Sequence, residues 1–581
     1  MSAESGTAGQ QAGPADDPGI APDLWRRGGE PRRQRRGSSG APARRRWAWA
    51  AALTLVAVLL FVAYLRLSNT YPEDSDQANL GLQAWDMLHG NVLLHGWTLS
   101  DVSFYTTELP QYMLLELLLG LNAGTFHAAA AMTYTLALLL AVLLAKGRAA
   151  GRDGVLRALV TGGIMVAPQL GFGVFVLLLT VGHIGTSVPL LLIWLLIDRA
   201  RPHWLTVVLA GLMLTWGEMA DSLVLAVGAL PLGIVCGLRV VQGLFTAPGA
   251  RGPLGRARGA LRSRWYELSL GVAAVASVGL SSLAVKVVHA LGGYTLHAVT
   301  FNIEPIGKWA GNLPATWYGF ILLFGGDYNG LKPSVSLGLA FLHLVGVALV
   351  ILSLILALWR FFTRATLIDQ VLAVAILANL VLYLISNMPS LNPHELAVVL
   401  PFGAALAGRM LVGRGQRGGV HAGARRTRGA PRAVRAATLA AGALVLAGYL
   451  AGLAHEATRL PQPAQNTHLA SWLAGHHLYN GLGGYWESGI TTVDSGGRVT
   501  VRALVKATLQ ADMWEAKDTW YDPATQHANF VVFESLPGFY HHWEPRALAS
   551  KYFGRPARTY NYGPYTVMVW DKNLMASIPP G

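Results

Sequence analysis

Residues 71–111 read YPEDSDQANLGLQAWDMLHGNVLLHGWTLSDVSFYTTELPQ and follow directly on the first long apolar run of the chain. The stretch contains neither Lys nor Arg, although the formal net charge of the 581-residue chain is +14. Its carboxylates are Glu73, Asp74, Asp76, Asp86, Asp101 and Glu108. Carboxylates this close raise one another's pKa, so the cluster predicts a cation site, a general base or a solvated loop.

The composition of the whole chain is that of a membrane protein. Hydrophobic residues make up 53% of it and charged residues 13%, whereas a soluble domain has about 25% charged residues. The basic excess lies in Arg-rich loops and not on a helical face with interleaved aromatics, which indicates membrane topology and no nucleic-acid partner. The one cysteine, Cys236, lies in an apolar run, so an intrachain disulfide is excluded.

The sequence divides into three parts. Residues 1–46, rich in Gly, Ala, Pro, Ser and Arg, predict a disordered, basic cytosolic tail. Residues 47–454 predict a mainly α, polytopic membrane domain with about eleven spans. The apolar runs lie at 47–65, 125–146, 155–181, 185–199, 203–218, 221–242, 266–290, 335–360, 366–387, 395–413 and 434–454. If the two short runs, 185–199 and 203–218, are both not spans, the orientation of the remaining spans is unchanged.

The positive-inside rule orients these spans. If residues 44–46, all Arg, stay inside, every Arg-rich loop between spans also lies inside, and the first outer loop, residues 67–124, faces out. The polar residues then collect on the outer side. They are the acidic stretch 71–111, His183, Glu218, Asp221, Glu304, Lys308, Asp327, His394 and Glu395. The Ala-, Arg- and Gly-rich composition is typical of a high-GC bacterium. The expected location is therefore the bacterial plasma membrane, in contact with its lipids, with the N-terminus cytoplasmic.

The outer side carries two further features. In the first outer loop, Leu80, Ala84, Met87 and Leu88 form one helical stripe, and residues 113–121 form a second apolar stretch. Both are too short to span, so they predict helices that lie in the outer membrane interface. Residues 455–581 have the composition of a soluble domain, with strand-like runs at 498–506, 529–534 and 565–570 between turns. They predict a small extracytoplasmic α/β domain.

Two motifs resemble a known family. The pattern DSDQANLGLQAWDMLHG at 74–90, followed by YTTELPQY at 105–112, resembles the first outer loop of the GT-C glycosyltransferases, in the Rgt-like and mannosyltransferase-like branch. The segment NPHELAVVLPFGAALAGR at 392–409 is similar to a late span of such enzymes. The resemblance implies a polyprenyl-phosphate sugar donor and an Asp of this loop as catalytic base or metal ligand. Here the family's Asp-Glu pair is replaced by Asp76 and Gln77, and Asp74 is the carboxylate that would compensate.

The chemistry of such a transfer requires a base near the acceptor hydroxyl and a cation or metal near the departing phosphate. Asp74 and Asp76 are the candidate bases; their alternative role is to cap the following helix. Candidate ligands of the donor phosphate are Lys286, Lys308 and His394, although Lys286 in a span can equally snorkel to the interface.

A metal site and an acceptor site complete the candidates. Asp76, Glu218 and Asp221 would hold a divalent cation, Mg²⁺ or Mn²⁺, although a helix cap is the simpler role for Glu218 and Asp221. Glu108, Tyr485 and Trp486 are candidates for binding the acceptor or closing the site, since aromatic faces stack on sugar rings.

The leading hypothesis is an integral membrane glycosyltransferase that acts on a glycan, lipid or protein acceptor outside the cytoplasm. Two alternatives stay open. One is a secondary transporter or a flippase of lipid-linked sugars, with Lys286, Glu218 and Asp221 as a polar relay. The other is a GT-C-like scaffold without catalysis. The sequence contains no GxxxxGK[ST] loop, CxxC pair or GxSxG elbow, so it does not support ATP-driven transport, zinc chemistry or serine hydrolysis.

Overall fold

The computed structural model describes residues 40–168, 172–179, 182–246, 252–297, 301–328, 335–389, 393–412, 432–534 and 545–580. The chain divides into two compact units, Met1–Leu55 and Val56–Gly581. The described residues of the first unit belong to helix α1, and most of the predicted tail, residues 1–39, lies outside the described residues. The fold and the site described below lie in the second unit.

Helices dominate the described residues. They are α1 Gly40–Ser68, α2 Ser75–Leu88, α3 Glu108–Leu119, α4 Ala123–Lys146, α5 Gly151–Met165, α6 Phe172–Val174, α7 Ser187–Arg199, α8 Trp204–Ala220, α9 Leu230–Thr246, α10 Gly252–Ser263, α11 Trp265–Ala290, α12 Ile306–Leu323, α13 Val335–Trp359, α14 Leu367–Ile385, α15 Val399–Leu411, α16 Arg432–Glu456, α17 Thr467–Gly475, α18 Tyr485–Asp494 and α19 Pro545–Phe553. π-Helical turns at Phe175–Leu179 and Leu225–Ala229 and 3₁₀ turns at His394–Leu396, Asp518–Tyr521 and Met575–Ser577 complete the helical elements.

Each of the eleven predicted apolar runs contains a helix, which confirms a polytopic, mainly α fold. By length and composition, however, only eight helices among the described residues can cross a membrane. The runs 155–181, 185–199 and 203–218 form shorter helices. In the first of them α5 stops at Met165, shortly before Pro168, because proline cannot continue a helix. Helix α12 was not predicted, since Pro314 and three glycines interrupt its pattern.

Helix α15 lies at the centre of the membrane domain. It packs against α4, α5, α13 and α14, and almost all of its side chains are buried. Near its end, Arg409 binds Asp369 of α14 at 2.7 Å, Asp198 of α7 at 2.9 Å and the carbonyl oxygen of Leu144 in α4 at 2.8 Å. Because the buried guanidinium joins these helices, the opposite end of α15, which follows His394 and Glu395, is held in a fixed place.

The two predicted helices of the first outer loop are α2 and α3, which pack on one another. Three residues of the predicted stripe, Leu80, Ala84 and Met87, are buried in a cluster that also contains Trp97 and Phe126. Gly81 allows this close packing, since a Cβ there would lie 2.7 Å from Cζ of Phe126.

The C-terminal region forms the predicted α/β domain. Its strands are β3 Asn480–Gly483, β4 Thr500–Ala503, β6 Phe530–Glu534, β7 Arg558–Tyr562 and β8 Tyr565–Val569, in the order β4-β3-β6-β8-β7. Strand β3 is parallel to β4 and β6, and β8 is antiparallel to β6 and β7. Side chains of α17 pack on one face of the sheet and those of α19 on the other.

A second, small sheet joins this C-terminal domain to residues 71–111. Below, the C-terminal domain is called the outer domain, after the side on which the sequence predicts it, and residues 71–111 are called the acidic loop. Its strands are β1 Trp97–Leu99, β2 Thr295–Leu296 and β5 Ala516–Lys517. Thr98 of β1 pairs in parallel with Thr295 and in antiparallel register with Ala516. The first outer loop, the loop after α11 and the outer domain therefore meet at one place, beside the start of α2.

Candidate active site

Asp74 forms the N-cap of α2. Its Oδ1 accepts a hydrogen bond from the backbone N–H of Asp76 at 3.0 Å, and Oε1 of Gln77 accepts one from the N–H of Asp74 at 3.0 Å. This reciprocal pair is a capping box, in which orphan N–H groups at the helix start find partners. Gln77 stands where the resemblance led us to expect a glutamate, and here its amide completes the cap.

The carboxylate of Asp76 contacts the outer domain. Tyr485, the first residue of α18, places its hydroxyl 2.8 Å from Oδ1 of Asp76 and 2.7 Å from Oε2 of Glu515. The Nδ2 of Asn79, one turn further along α2, lies 3.4 Å from the same oxygen of Glu515. Burial raises the pKa of Asp76, whereas Tyr485 and the nearby His394 lower it, and the balance is a raised pKa.

A second polar cluster surrounds His183, in the turn before α7. Its Nδ1 lies 2.6 Å from Oδ2 of Asp221, and its Nε2 lies 2.8 Å from Oε2 of Glu395. Thr186 donates a further hydrogen bond to Asp221. Burial alone lowers the pKa of His183, but the two carboxylates outweigh it and hold the pKa well above its usual range. Each ring nitrogen thus has a carboxylate partner, which favours the protonated imidazole when no metal is bound.

His394 connects the two clusters. Its ring stacks on that of His183 with 5.9 Å between centroids, and its Nε2 lies 3.5 Å from Oε1 of Glu395. His394 also lowers the pKa of Asp76, so its electrostatic influence reaches the start of α2. Backbone contacts support the arrangement, because the N–H of Phe104 in the first outer loop donates to the carbonyl of Ala220, next to Asp221.

Two more carboxyls of the acidic loop border the His183 cluster. Burial and then the charge of Glu395 raise the pKa of Asp101. Burial raises the pKa of Glu108 to about 7. Glu108 lies against Gly185, where a Cβ would overlap its Oε1. The acidic loop thus supplies carboxyls to both clusters.

One group of side chains has the geometry to hold a metal ion. Ligand atoms of His183, His394 and Glu395 all lie within 4.8 Å of one another. The buried Nδ1 of His394 also has no hydrogen-bond partner among the described residues, which leaves a nitrogen lone pair or proton unsatisfied. Two imidazoles and a carboxylate suit Zn²⁺, Mn²⁺ or Fe²⁺ better than Mg²⁺, which prefers oxygen ligands.

The structure separates the metal ligands that the sequence predicted. Asp76 binds Tyr485 and Asp221 binds His183, whereas Glu218 points to α11 and accepts hydrogen bonds from Ser277 and Ser281, each at 3.0 Å. Glu218 lies on the last turn of α8, and Asp221 follows the helix end. Their side chains therefore leave the chain in different directions although three positions separate them.

The predicted phosphate ligands are also dispersed. Lys286 is exposed on α11, and within the described part of the chain it has no ion pair. Lys308 pairs with Glu304 of its own helix region at 2.9 Å. Only His394 lies in the site. Of the predicted acceptor residues, Tyr485 binds Asp76, and Trp486 packs edge-on against Tyr485 with 5.0 Å between ring centroids.

Sequence reasoning missed Glu515 and Glu395 as site residues. It named Asp101 only as a member of the acidic cluster and placed His183 on the outer side without a specific role. Glu395 follows His394 directly in a segment predicted to face outside, so of these residues it was the easiest to identify from the sequence. Glu515 lies in an ordinary segment of the soluble domain, and no local pattern distinguishes it.

Comparison with solved structures identifies the fold. The structure of ArnT from Cupriavidus metallidurans bound to undecaprenyl phosphate superposes with a TM-score of 0.53, at 14% sequence identity over 90% of this chain and 98% of that chain. The chain has the GT-C fold. At this identity the similarity shows the fold of the two proteins and not a shared substrate.

Weaker structural similarities accompany this match. The archaeal oligosaccharyltransferase AglB from Archaeoglobus fulgidus, in complex with an inhibitory peptide and a dolichol-phosphate, gives a TM-score of 0.43 at 14% identity over 84% of this chain and 70% of that chain. ArnT from Cupriavidus metallidurans in the apo state gives 0.37 at 15% identity over 92% and 100%. No protein-family model and no curated protein sequence matches the chain.

Proposed function

We propose that this GT-C chain is a membrane glycosyltransferase that takes a sugar from a polyprenyl-phosphate donor and transfers it to an acceptor outside the cytoplasm. One observation supports this proposal most directly. Asp76, a buried carboxylate that accepts a hydrogen bond from Tyr485, lies near the histidine pair His183 and His394. The site thus combines a base with cationic groups, the two elements that the transfer requires. The ArnT structure, which holds undecaprenyl phosphate, supports this class of donor.

The reaction is a single displacement in which Asp76 acts as general base. As the acceptor oxygen attacks the anomeric carbon, its proton passes to Oδ2 of Asp76, because Oδ1 is engaged by Tyr485. The bond between the anomeric carbon and the phosphate oxygen breaks, and its electron pair leaves with the phosphate. His183 and His394, with the cation they would hold, face the negative charge that develops there.

We propose a divalent cation at His183, His394 and Glu395, whose binding would displace the proton from Nε2 of His183, because only a neutral imidazole can be a ligand. When bound, it would act as a Lewis acid toward the phosphate oxygens. Tyr485 and Trp486 lie beside the base, on the side of the outer domain, and we assign them to the acceptor. The acceptor is a glycan, a lipid or a protein. The arrangement does not favour a transporter, since Glu218 and Asp221 contact different partners and Lys286 has no ion pair among the described residues.

The test is sugar transfer by the purified protein in lipid nanodiscs. A panel of radiolabelled polyprenyl-phosphate sugars is supplied with candidate acceptors, with and without EDTA. We expect transfer or slow hydrolysis of one donor, its loss in Asp76→Asn, and its retention in Lys286→Ala, which replaces an exposed residue remote from these contacts. If no donor is consumed and none binds, the glycosyltransferase proposal is wrong.

A further inference from the structure

We propose that Glu515, from the outer domain, is a positioning residue that keeps a proton in the site and, through Tyr485, holds Asp76 as the ionised base. This inference rests on the proposed function, in which Asp76 accepts the proton of the acceptor hydroxyl. It assigns the outer domain a direct part in the chemistry.

The first argument is a count of protons. The Tyr485 hydroxyl lies 2.8 Å from an oxygen of Asp76 and 2.7 Å from an oxygen of Glu515, but a phenol has only one proton to donate. If both carboxyls were ionised, one of these two contacts would be a repulsion between oxygens. Both contacts are hydrogen bonds only when one carboxyl is protonated and donates to the phenol oxygen.

The surroundings decide which carboxyl has the proton. Glu515 is 7% exposed, and the polar groups that face it are Asp76, Tyr485, Asn79 and Ser100, none of which is a cation. Asp76, by contrast, is near enough to His394 for the histidine to lower its pKa, which favours the ionised form of Asp76. Burial and then the charge of Asp76 hold the pKa of Asp74 well above its usual range, and Glu515 contributes to the same shift. The proton therefore belongs to Glu515, which donates to Tyr485, and Tyr485 donates to Asp76. Burial raises the pKa of Glu515 to about 8, which agrees with this assignment.

The backbone supplies a second, independent argument. Glu515 has a φ of +50°, in the left-handed region that residues other than glycine rarely adopt. The turn is fixed on both sides, because Oδ1 of Asp512 accepts from the N–H of Trp514 at 3.1 Å and Ala516 pairs with Thr98. Such conformations cost about 1–3 kcal/mol and concentrate at functional sites. Here the strained turn points a carboxyl at Tyr485.

The consequence for the reaction follows from the hydrogen-bond chain. With Glu515 protonated, Asp76 is the anion, its Oδ1 is fixed, and its Oδ2 takes the acceptor's proton, while the protons of Glu515 and Tyr485 stay in place. If Glu515 passed its proton to Asp76, no base would remain. If Glu515 lost its proton to solvent at high pH, two carboxylates would compete for the single proton of Tyr485, and Asp76 would no longer be held in place.

The experiment compares Glu515→Gln with Glu515→Ala across pH. The glutamine amide can donate to Tyr485 as the protonated acid does. We therefore expect Glu515→Gln to retain a kcat within about threefold of wild type at pH 7 and Glu515→Ala to lose about 10–100-fold. We also expect kcat of wild type to fall on an alkaline limb that is absent in Glu515→Gln. Asp571→Asn, at an exposed position of the same domain, controls for the change of charge.

Two kinetic results would overturn the inference while leaving the proposed function intact. One is an active wild type whose glutamine and alanine variants are equally impaired or equally active; the other is an alkaline limb that persists in Glu515→Gln.

An infrared measurement tests the proton without any turnover. At pH 7 the spectrum of wild type minus Glu515→Gln must show the C=O band of a protonated carboxyl, shifted in D₂O. If this band is missing, the inference is wrong even where no donor on the panel is accepted; if it is present in an inactive protein, only the proposed function fails.

Discussion

Asp74 and Asp76 lie two residues apart, yet their side chains contact different partners. The Asp74 carboxylate accepts from the backbone at the start of α2, which is a structural role that asparagine fills equally well. The Asp76 carboxylate contacts a side chain of the outer domain. The sequence leaves open which of the two residues is the base. Because their contacts differ, mutations of each residue can distinguish the base from the helix cap.

We predict that Asp76→Asn lowers kcat at least about 100-fold, the usual effect of losing a general base, with little change in melting temperature. Asp74→Asn keeps the N-cap and is expected to stay within a few-fold of wild type, whereas Asp74→Ala destabilises the protein by about 1 kcal/mol. Kinetics and thermal unfolding of the three variants check this. An inactive, fully stable Asp74→Asn variant would assign the base to Asp74 instead.

At the histidine pair, the prediction concerns metal affinity. After removal of metal with EDTA, we expect wild type to bind Zn²⁺ or Mn²⁺ in isothermal titration calorimetry, and His394→Ala to bind at least about tenfold more weakly, since it loses one of three ligands. Lys308→Ala is the control, because Lys308 pairs with Glu304 on the same side of the chain. Equal affinity in His394→Ala and wild type would exclude this ligand set.

At the scale of elements, the contact between α2 and α3 contains a buried acid. Glu116 of α3 is 2% exposed and lies beside Gly81 and Phe126, and its carboxyl oxygens have no hydrogen-bond partner among the described residues. Burial raises its pKa from 4.5 to about 9. The carboxyl is therefore neutral in the folded protein at pH 7 and ionised in the unfolded chain.

This difference in protonation between the folded and the unfolded protein makes stability depend on pH. Between pH 4.5 and about 9 the unfolded chain binds fewer protons at this site, so its contribution makes the protein less stable as pH rises, by up to about 1.4 kcal/mol per pH unit. We predict that Glu116→Gln has a higher melting temperature than wild type at pH 8 and that the difference shrinks toward pH 5. Asp571→Asn serves as the exposed control. A difference that is independent of pH would contradict the assignment.

The small β2-β1-β5 sheet is secured by Asp86 of α2. Its Oδ2 accepts from Trp97 Nε1 at 2.7 Å, from Asn91 Nδ2 at 2.6 Å and from Lys517 Nζ of the outer domain at 3.0 Å. These donors come from β1, from the turn after α2 and from β5. One carboxylate thus joins the acidic loop to the outer domain next to the site.

Mutations of the two partners of the Asp86–Lys517 ion pair are expected to destabilise the protein by different amounts. Lys517→Ala removes a partly exposed ion pair, worth about 1 kcal/mol or less. Asp86→Ala leaves the donors of Trp97 and Asn91 without their acceptor, at about 1–3 kcal/mol for each one that stays buried. We predict a larger fall in melting temperature for Asp86→Ala, and faster release of the outer domain in limited proteolysis. Equal effects would mean that the lysine contact is the main one.

At the scale of the whole molecule, the proposed orientation places the site and the outer domain outside. The single cysteine allows a direct test, since Cys236→Ala gives a background without thiols. In that background we predict that a membrane-impermeant maleimide labels Asp571→Cys on intact cells and labels Arg364→Cys only after lysis. Both host positions are exposed. The reverse pattern would place the site in the cytoplasm and exclude an extracytoplasmic acceptor.

The sequence by itself determined the layout of this protein. Hydropathy gave a helix in each predicted run, the stripe at Leu80, Ala84 and Met87 gave α2, and alternation with turn signals gave the outer α/β domain. These features depend on the order of residues within one element, so the chain records them locally. Even the capping role of Asp74 belongs to this class, because a cap involves only its own helix.

Only the tertiary structure decided which side chains meet. It brought Glu515 of the outer domain to Asp76 through Tyr485, joined His183 to Asp221 and Glu395, and directed Glu218 to the serines of α11. The physical reason is that periodicity fixes the face of a helix on which a residue lies but not the rotation of that helix against its neighbours. That rotation is set by close packing of the whole domain, and it determines which of the outer carboxyls and histidines face one another.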